Sequence, residues 1–251
     1  MLLLALAGAT FCTTSIGGLL ALRLAARMRW VLGFSAGAVV AVAFFDLLPE
    51  ALELASPSFG VTQVFSSAAV GFLLYLLFDR VLLFKGQRYR DQLAAQPPGA
   101  PVAANHRHRA TLFAGSLSLH SFLDGIAIGL AFQASTAVGA VVAMAVLTHD
   151  FSDGINTMNV VLRNDSNRRR ALQWLLADAL APGVGIFSTL FFRVRPEVLG
   201  IILGVFSGFF LYLGASDLIP ESHRAFPKAL TTLMTLLGIT VLYVAVRLAQ
   251  V

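Results

Sequence analysis

Charge is scarce in this 251-residue chain: Asp, Glu, Lys and Arg make up 12% of it, against 57% hydrophobic residues. Soluble domains carry roughly a quarter charged residues, so the shortage excludes an ordinary water-facing surface. Cysteine is nearly missing as well. Cys12 stands alone, which rules out an internal disulfide and a thiolate metal site built from one copy of the chain. No GxxxxGK[ST] loop occurs to cradle a nucleotide phosphate, so nothing here supports a nucleotide-driven pump, and no motif asks for an organic cofactor. The first apolar run has no basic stretch before it and continues to Leu22. Residues 2–22 therefore read as a retained helix and not as a cleaved leader.

What the chain does have is apolar length. A bilayer core of roughly 30 Å takes about 20 residues of helix to cross, and runs of that kind lie at about 2–22, 30–54, 62–84, 111–133, 136–162, 171–192, 198–219 and 228–248. The expected fold is all-α and integral to the membrane, with eight transmembrane helices. Fifteen of the 18 Lys and Arg residues fall in the loops 23–29, 80–110, 163–170 and 220–228, which eight spans place on one side. Cytoplasmic loops carry the excess of positive charge, so both termini are expected outside the cell's inner membrane. The net charge of +5 is then a topology signal and no sign of nucleic-acid binding. The partners to expect are the lipid bilayer and a second copy of the chain.

The one long hydrophilic segment, "KGQRYRDQLAAQPPGAPVAANHRHRA" at 85–110, reads as a mobile cytoplasmic linker. It divides residues 1–84, with three helices, from 111–251, with five, inside one membrane domain. His106 and His108 within it are candidates for transient metal capture or simply solvated. An inverted repeat spans the linker: "GFSAGAVVAVAFFDLLPEA" (33–51) aligns with "GVFSGFFLYLGASDLIPES" (204–222) and superposes Asp46 on Asp217, Pro49 on Pro220 and Glu50 on Glu221. The two copies cross the membrane in opposite directions, the arrangement of transporters that hold substrate at the repeat interface. "GFSAG" at 33–37 fits a nucleophile elbow in letters only, because that motif needs a strand-to-helix turn.

The fourth and fifth runs carry "HSFLDG" (120–125) and "HDFSDG" (149–154). A charged side chain at mid-bilayer costs at least roughly 2.5–3.5 kcal/mol on insertion scales, so it marks function and faces the bundle interior. His120 with Asp124, and His149 with Asp153, stand four residues apart and share a helix face. Asp150 adds an adjacent edge. A short loop at 133–136 makes the two helices antiparallel neighbours, so the faces can meet. Carboxylates gathered in low dielectric repel one another, and a divalent cation removes the conflict. Imidazole with carboxylate and no thiolate suits Zn, Fe, Mn, Co or Cd, bound as one ion or two. Gly125, Gly129 and Gly154 beside the clusters let backbones approach closely. Asn156, Thr157 and Asn159 continue the fifth helix with polar groups, and Asp178 in the sixth is a ligand or a hydrogen-bonded structural acid. Asp46, Glu50, Asp217 and Glu221 are assigned to a pathway or to support of the site.

These residues resemble those of the ZIP (Zrt-, Irt-like protein) family of divalent-metal transporters: eight spans, a His-containing loop after the third, "HSFLDGIAIG", "HDFSDG", and "LLPEA" closing the second helix. The resemblance implies the family's eight-helix bundle, with helices 1–3 related to 6–8 by an inverted repeat around 4 and 5. It implies a binuclear site of the prokaryotic type, with His120, Asp124, His149 and Asp153 around one ion and Ser121, Asp124, Asp150 and Asp153 around the other. Asp178 is the candidate for an added acid from helix 6. The family often carries Glu where this chain has Asp124, and His or Glu where it has Asp153. The expected function is therefore transport of a divalent metal, zinc first, into the cytoplasm without catalysis, the metal being substrate. The rival is an intramembrane metal hydrolase, in which a bound ion activates water.

Overall fold

The computed structural model describes residues 1–24, 29–94, 103–165, 167–223 and 228–249. Within their helices some side chains, those of His106, His108, Asp217 and Glu221 included, lie outside the described set. Among the described residues there is no strand, and eight helical rods follow one another. They are α1 (Leu2–Leu24), α2 (Arg29–Val42, continued by a π-helical turn at Ala43–Leu47 and by Leu48–Ala55), α3 (Val61–Ala94), α4 (Ala103–Ala134), α5 (Thr136–Asp165), α6 (Arg168–Ser188), α7 (Pro196–Tyr212, continued by a π-helical turn at Leu213–Leu218 and by Ile219–His223) and α8 (Lys228–Ala249).

Seven of the rods contain a stretch long and apolar enough to cross a membrane. The exception is α2. The hydrophilic segment expected to be a linker is helical at both ends, to Ala94 and from Ala103. Pro97, Pro98, Gly99 and Pro101 lie between, outside the described residues.

The π-turns have a local cause. A proline has no N–H to donate and its ring presses on the carbonyl four residues earlier. For Pro49 that residue is Phe45 and for Pro220 it is Ser216, and each lies inside its π-turn. The widened turn relieves the clash without ending the helix. The repeat-related prolines thus produce the same distortion twice, in α2 and α7.

Packing repeats the same symmetry. A Cβ on Gly125 of α4 would run into the backbone carbonyl of Pro182 in α6, and one on Gly185 of α6 would run into the carbonyl of Phe122 in α4. This reciprocal close approach recurs for Gly17 of α1 with Gly154 of α5, Gly37 of α2 with Gly238 of α8, and Gly71 of α3 with Gly208 of α7. Exchanging 1 with 6, 2 with 7, 3 with 8 and 4 with 5 turns the α1–α5 crossing into α6–α4 and the α2–α8 crossing into α7–α3. Small residues let membrane helices approach backbone to backbone and gain dispersion contacts.

The most enclosed span is that of α5. Val141, Val142, Ala145 and Val146 in its first half belong to one buried cluster with Val39 and Val42 of α2, Ile128 of α4, and Leu203 and Phe210 of α7. The outer faces of α1, α3 and α8 expose Leu19, Leu73, Leu77, Leu233 and Leu236, as lipid contact requires. At the α4–α5 turn, Ser135 Oγ accepts from the Val138 N–H at 3.1 Å, satisfying one orphan donor of the new helix. Gln133 just before it clamps the α6–α7 connection. Its Nε2 donates to the carbonyls of Thr189 and Phe192, both at 3.0 Å, and its Oε1 accepts from the Val194 N–H at 3.1 Å.

Candidate metal centre

His120 and Asp124 lie one turn apart on α4, and His149 and Asp153 one turn apart on α5. The antiparallel hairpin turns both faces inward. Each of the four residues offers one donor atom, and these atoms all lie within 4.8 Å of one another. Asp124 Oδ2 is the hub, 3.2 Å from His120 Nε2 and 3.2 Å from His149 Nε2. Asp153 Oδ2 closes the ring at 4.0 Å and 3.8 Å from the same nitrogens. All four residues are buried, His149 at 0% exposure and the others at no more than 6%. Two imidazole nitrogens and two carboxylate oxygens converging in a buried interior make a donor set for a borderline divalent cation.

The outer nitrogens orient the rings. His149 Nδ1 lies 3.0 Å from the Ala145 carbonyl. A carbonyl only accepts, so Nδ1 carries a proton. Supporting contacts of this kind fix the tautomer of a ligating histidine and aim its ring. His120 Nδ1 instead lies 3.3 Å from the hydroxyl of Tyr75 on α3.

Beside the quartet sits a second polar node. Asp178 of α6, fully buried, accepts from Ser121 Oγ of α4 at 2.8 Å and from Thr157 Oγ1 of α5 at 2.7 Å. One carboxylate therefore ties three helices together, with each of its oxygens holding a hydroxyl. Pro182, four residues on and inside α6, cannot donate to the Asp178 carbonyl, which loosens the helix at this point. Replacing Thr157 by Val keeps the shape of the side chain and strands Asp178 Oδ2, a loss worth about 1–3 kcal/mol for a buried acceptor. Thermal unfolding in detergent should show a lower midpoint for Thr157→Val than for wild type. Equal midpoints would mean that the bond holds nothing together.

Of the residues expected from the sequence, the structure brings His120, Asp124, His149 and Asp153 into one cluster and sets Ser121 and Asp178 together next to it. Asp150 is fully buried, and neither of its carboxylate oxygens has a hydrogen-bond partner. Asn156 is half-buried a turn beyond Asp153. Asp46 is buried on the α2 π-turn with Oδ2 unpartnered, and Glu50 is half-exposed one turn later; neither joins the quartet. The side chains of Asp217, Glu221, His106 and His108 lie outside the described residues. The sequence reading missed Tyr75, whose only signal was a phenol in the middle of an apolar run.

Comparison with known proteins agrees with this geometry. The family model described as "ZIP Zinc transporter" matches residues 91–245, more than half of the chain. Human "Zinc transporter ZIP4" is 33% identical over 103 residues, which cover 41% of this chain and 16% of that much longer protein. "Zinc transporter ZupT" of Enterobacter sp. (strain 638) is 26% identical over 256 residues, covering 100% of this chain and 96% of the relative. The Shigella dysenteriae protein of the same name is 27% identical with the same coverage.

Proposed function

The chain belongs to the ZIP zinc transporter family, and from that premise we propose that it carries divalent transition-metal cations, zinc foremost, across the inner membrane into the cytoplasm through the site between α4 and α5. The observation that carries this reading is the buried quartet, with four donor atoms within 4.8 Å of one another. A hydrated cation exchanges its water for His120, Asp124, His149 and Asp153, and its charge relieves the repulsion between the two carboxylates. Asp150, buried with both oxygens unpartnered, and Ser121, Asp124 and Asp153 supply oxygens for a second ion beside the first. The Asp178 carboxylate is a further ligand whenever Ser121 and Thr157 release it.

The inverted repeat supplies the movement. One group of helices rocks against the other and exposes the site to each side in turn. Asp46 and Glu50 on α2 serve the approach or support the site. The positive loops lie in the cytoplasm with the 85–110 segment, and both termini lie outside.

The test is metal uptake into proteoliposomes, with wild type beside Asp153→Ala and His120→Ala and with Zn, Fe, Mn and Cd offered in turn. Wild type should accumulate zinc, and both variants should fall to the level of empty liposomes. Uptake should also weaken as the pH is lowered, because protons compete with metal for the ligands. A folded wild type that binds metal stoichiometrically yet takes none up would overturn transport and return the metal-hydrolase reading.

A further inference from the structure

The two imidazoles of the quartet are supported differently, and the difference singles out a residue on a third helix. Behind His149 stands a backbone carbonyl of its own helix, 3.0 Å from Nδ1. Behind His120 stands the Tyr75 hydroxyl of α3, 3.3 Å from Nδ1. At the inner edge, His120 Nε2 is buried and makes no hydrogen bond. Although it lies 3.2 Å from Asp124 Oδ2, the contact lacks the alignment of a donated bond. A neutral imidazole carries one proton, and it goes to the nitrogen that has an acceptor. For His120 the nitrogen with a hydrogen-bond partner is Nδ1, and that partner is the phenol oxygen, which can accept as well as donate.

We propose that Tyr75 is a positioning residue for the metal site: its hydroxyl oxygen accepts the Nδ1 proton of His120 and so keeps the Nε2 lone pair directed into the quartet. Without this acceptor, the one remaining within reach of the ring is the Asp124 carboxylate on the other side. The proton then settles on Nε2, where it occupies the lone pair a cation needs and ties up Asp124 as well.

The phenol is itself held from two sides. The ring of Tyr75 meets the His120 ring edge-on at 5.7 Å and 90°, and it packs against Tyr212 at 5.2 Å and Phe209 at 5.9 Å. Both of those residues lie on α7, which crosses α3 backbone to backbone at Gly71 and Gly208. The orientation of one ligand on α4 therefore depends on the α3–α7 pair. His149 takes the support of its Nδ1 from its own helix instead.

Tyr75→Phe keeps the ring and its aromatic contacts and removes only the oxygen, so the fold should survive. Two measurements test the idea. Zinc titration of purified protein in detergent, with uptake kinetics alongside, should show the dissociation constant and KM rising roughly 10- to 100-fold, as loss of a supporting partner does at metal sites, with maximal uptake at saturating zinc within about twofold of wild type. Nitrogen NMR of histidine-labelled, metal-free protein should show the His120 proton on Nδ1 in wild type and on Nε2 in Tyr75→Phe, with His149 unchanged. The uptake arm rests on the transport reading above. The NMR arm needs no metal, so a protein that failed to transport would still decide the role of Tyr75. Identical His120 nitrogen resonances in wild type and Tyr75→Phe would overturn the proposal, as would a zinc affinity that does not change.

Discussion

Asp124→Ala is expected to abolish zinc binding and uptake, with a loss of at least about 100-fold, the upper end of what even supporting groups cost at metal sites. The reason is the position of one atom. Asp124 Oδ2 stands 3.2 Å from both imidazole nitrogens, whereas Asp153 Oδ2 lies 3.8 Å and 4.0 Å from them. Removing Asp124 leaves two histidines on separate helices with only the more distant Asp153 oxygen between them and halves the negative charge of the quartet. Asp124→Asn, which keeps the shape and drops the charge, should fail nearly as badly. The measurement is radioactive zinc accumulation in proteoliposomes at matched protein content. An Asp124→Ala protein that retained more than about a tenth of wild-type uptake would put the ion elsewhere.

The second large effect is one of packing. Gly125→Val places a branched side chain where a single Cβ would already press on the Pro182 carbonyl, with the Pro182 carbonyl carbon 2.7 Å away. Neither neighbour is a flexible side chain that can move aside, so α4 and α6 must separate. Overpacking typically costs about 1–3 kcal/mol, and a backbone-to-backbone clash belongs at or above the top of that range. Separation also pulls Ser121 on α4 from Asp178 on α6. Gly8→Val is the matched control: Gly8 lies in a helix too, but a Cβ there meets nothing within 4 Å. Thermal unfolding in detergent should give a clearly lower midpoint, or no folded protein, for Gly125→Val and a near-normal one for Gly8→Val. Equal behaviour of the two would show that the crossing is looser than its geometry.

The sequence made the quartet readable because each half of it is local. His120 with Asp124 and His149 with Asp153 are pairs four residues apart, and helical periodicity alone puts each pair on one face. The short turn at Ser135 then leaves the two faces little choice but to meet. Gly125, Gly129 and Gly154 were readable as close-packing positions for the same reason, and Gly129 does lie against the Thr189 side chain. What depends on long-range registration stayed hidden. Tyr75 touches His120 across 45 positions of chain, and no local pattern says which way a lone phenol in an apolar helix will point. Asp178 was visible as a buried acid. That Ser121 and Thr157 would both donate to it depends on how far three helices slide past one another. The π-turns were latent in Pro49 and Pro220, but a proline in such a run equally permits a kink or a helix end. Only packing on both sides of the break settles for a widened turn.

The enclosure of α5 also bears on how the chain is made. The spans of α4 and α5 have the lowest mean hydropathy of the seven, because they carry the site. A segment holding His149, Asp150 and Asp153 is a poor candidate to leave the translocation machinery for lipid by itself. The fold has its remedy in the order of synthesis. The partner that crosses α5 most intimately, through Gly17 against Gly154, is α1, already in the membrane when α5 emerges, and α4 arrives immediately before as the other arm of a hairpin. Asp178 comes later still, after both hydroxyls that will receive it. The α5 span thus reaches the bilayer at a moment when α1 and α4 are already there to shield it, and His149, Asp150 and Asp153 need not face lipid on the way to their places.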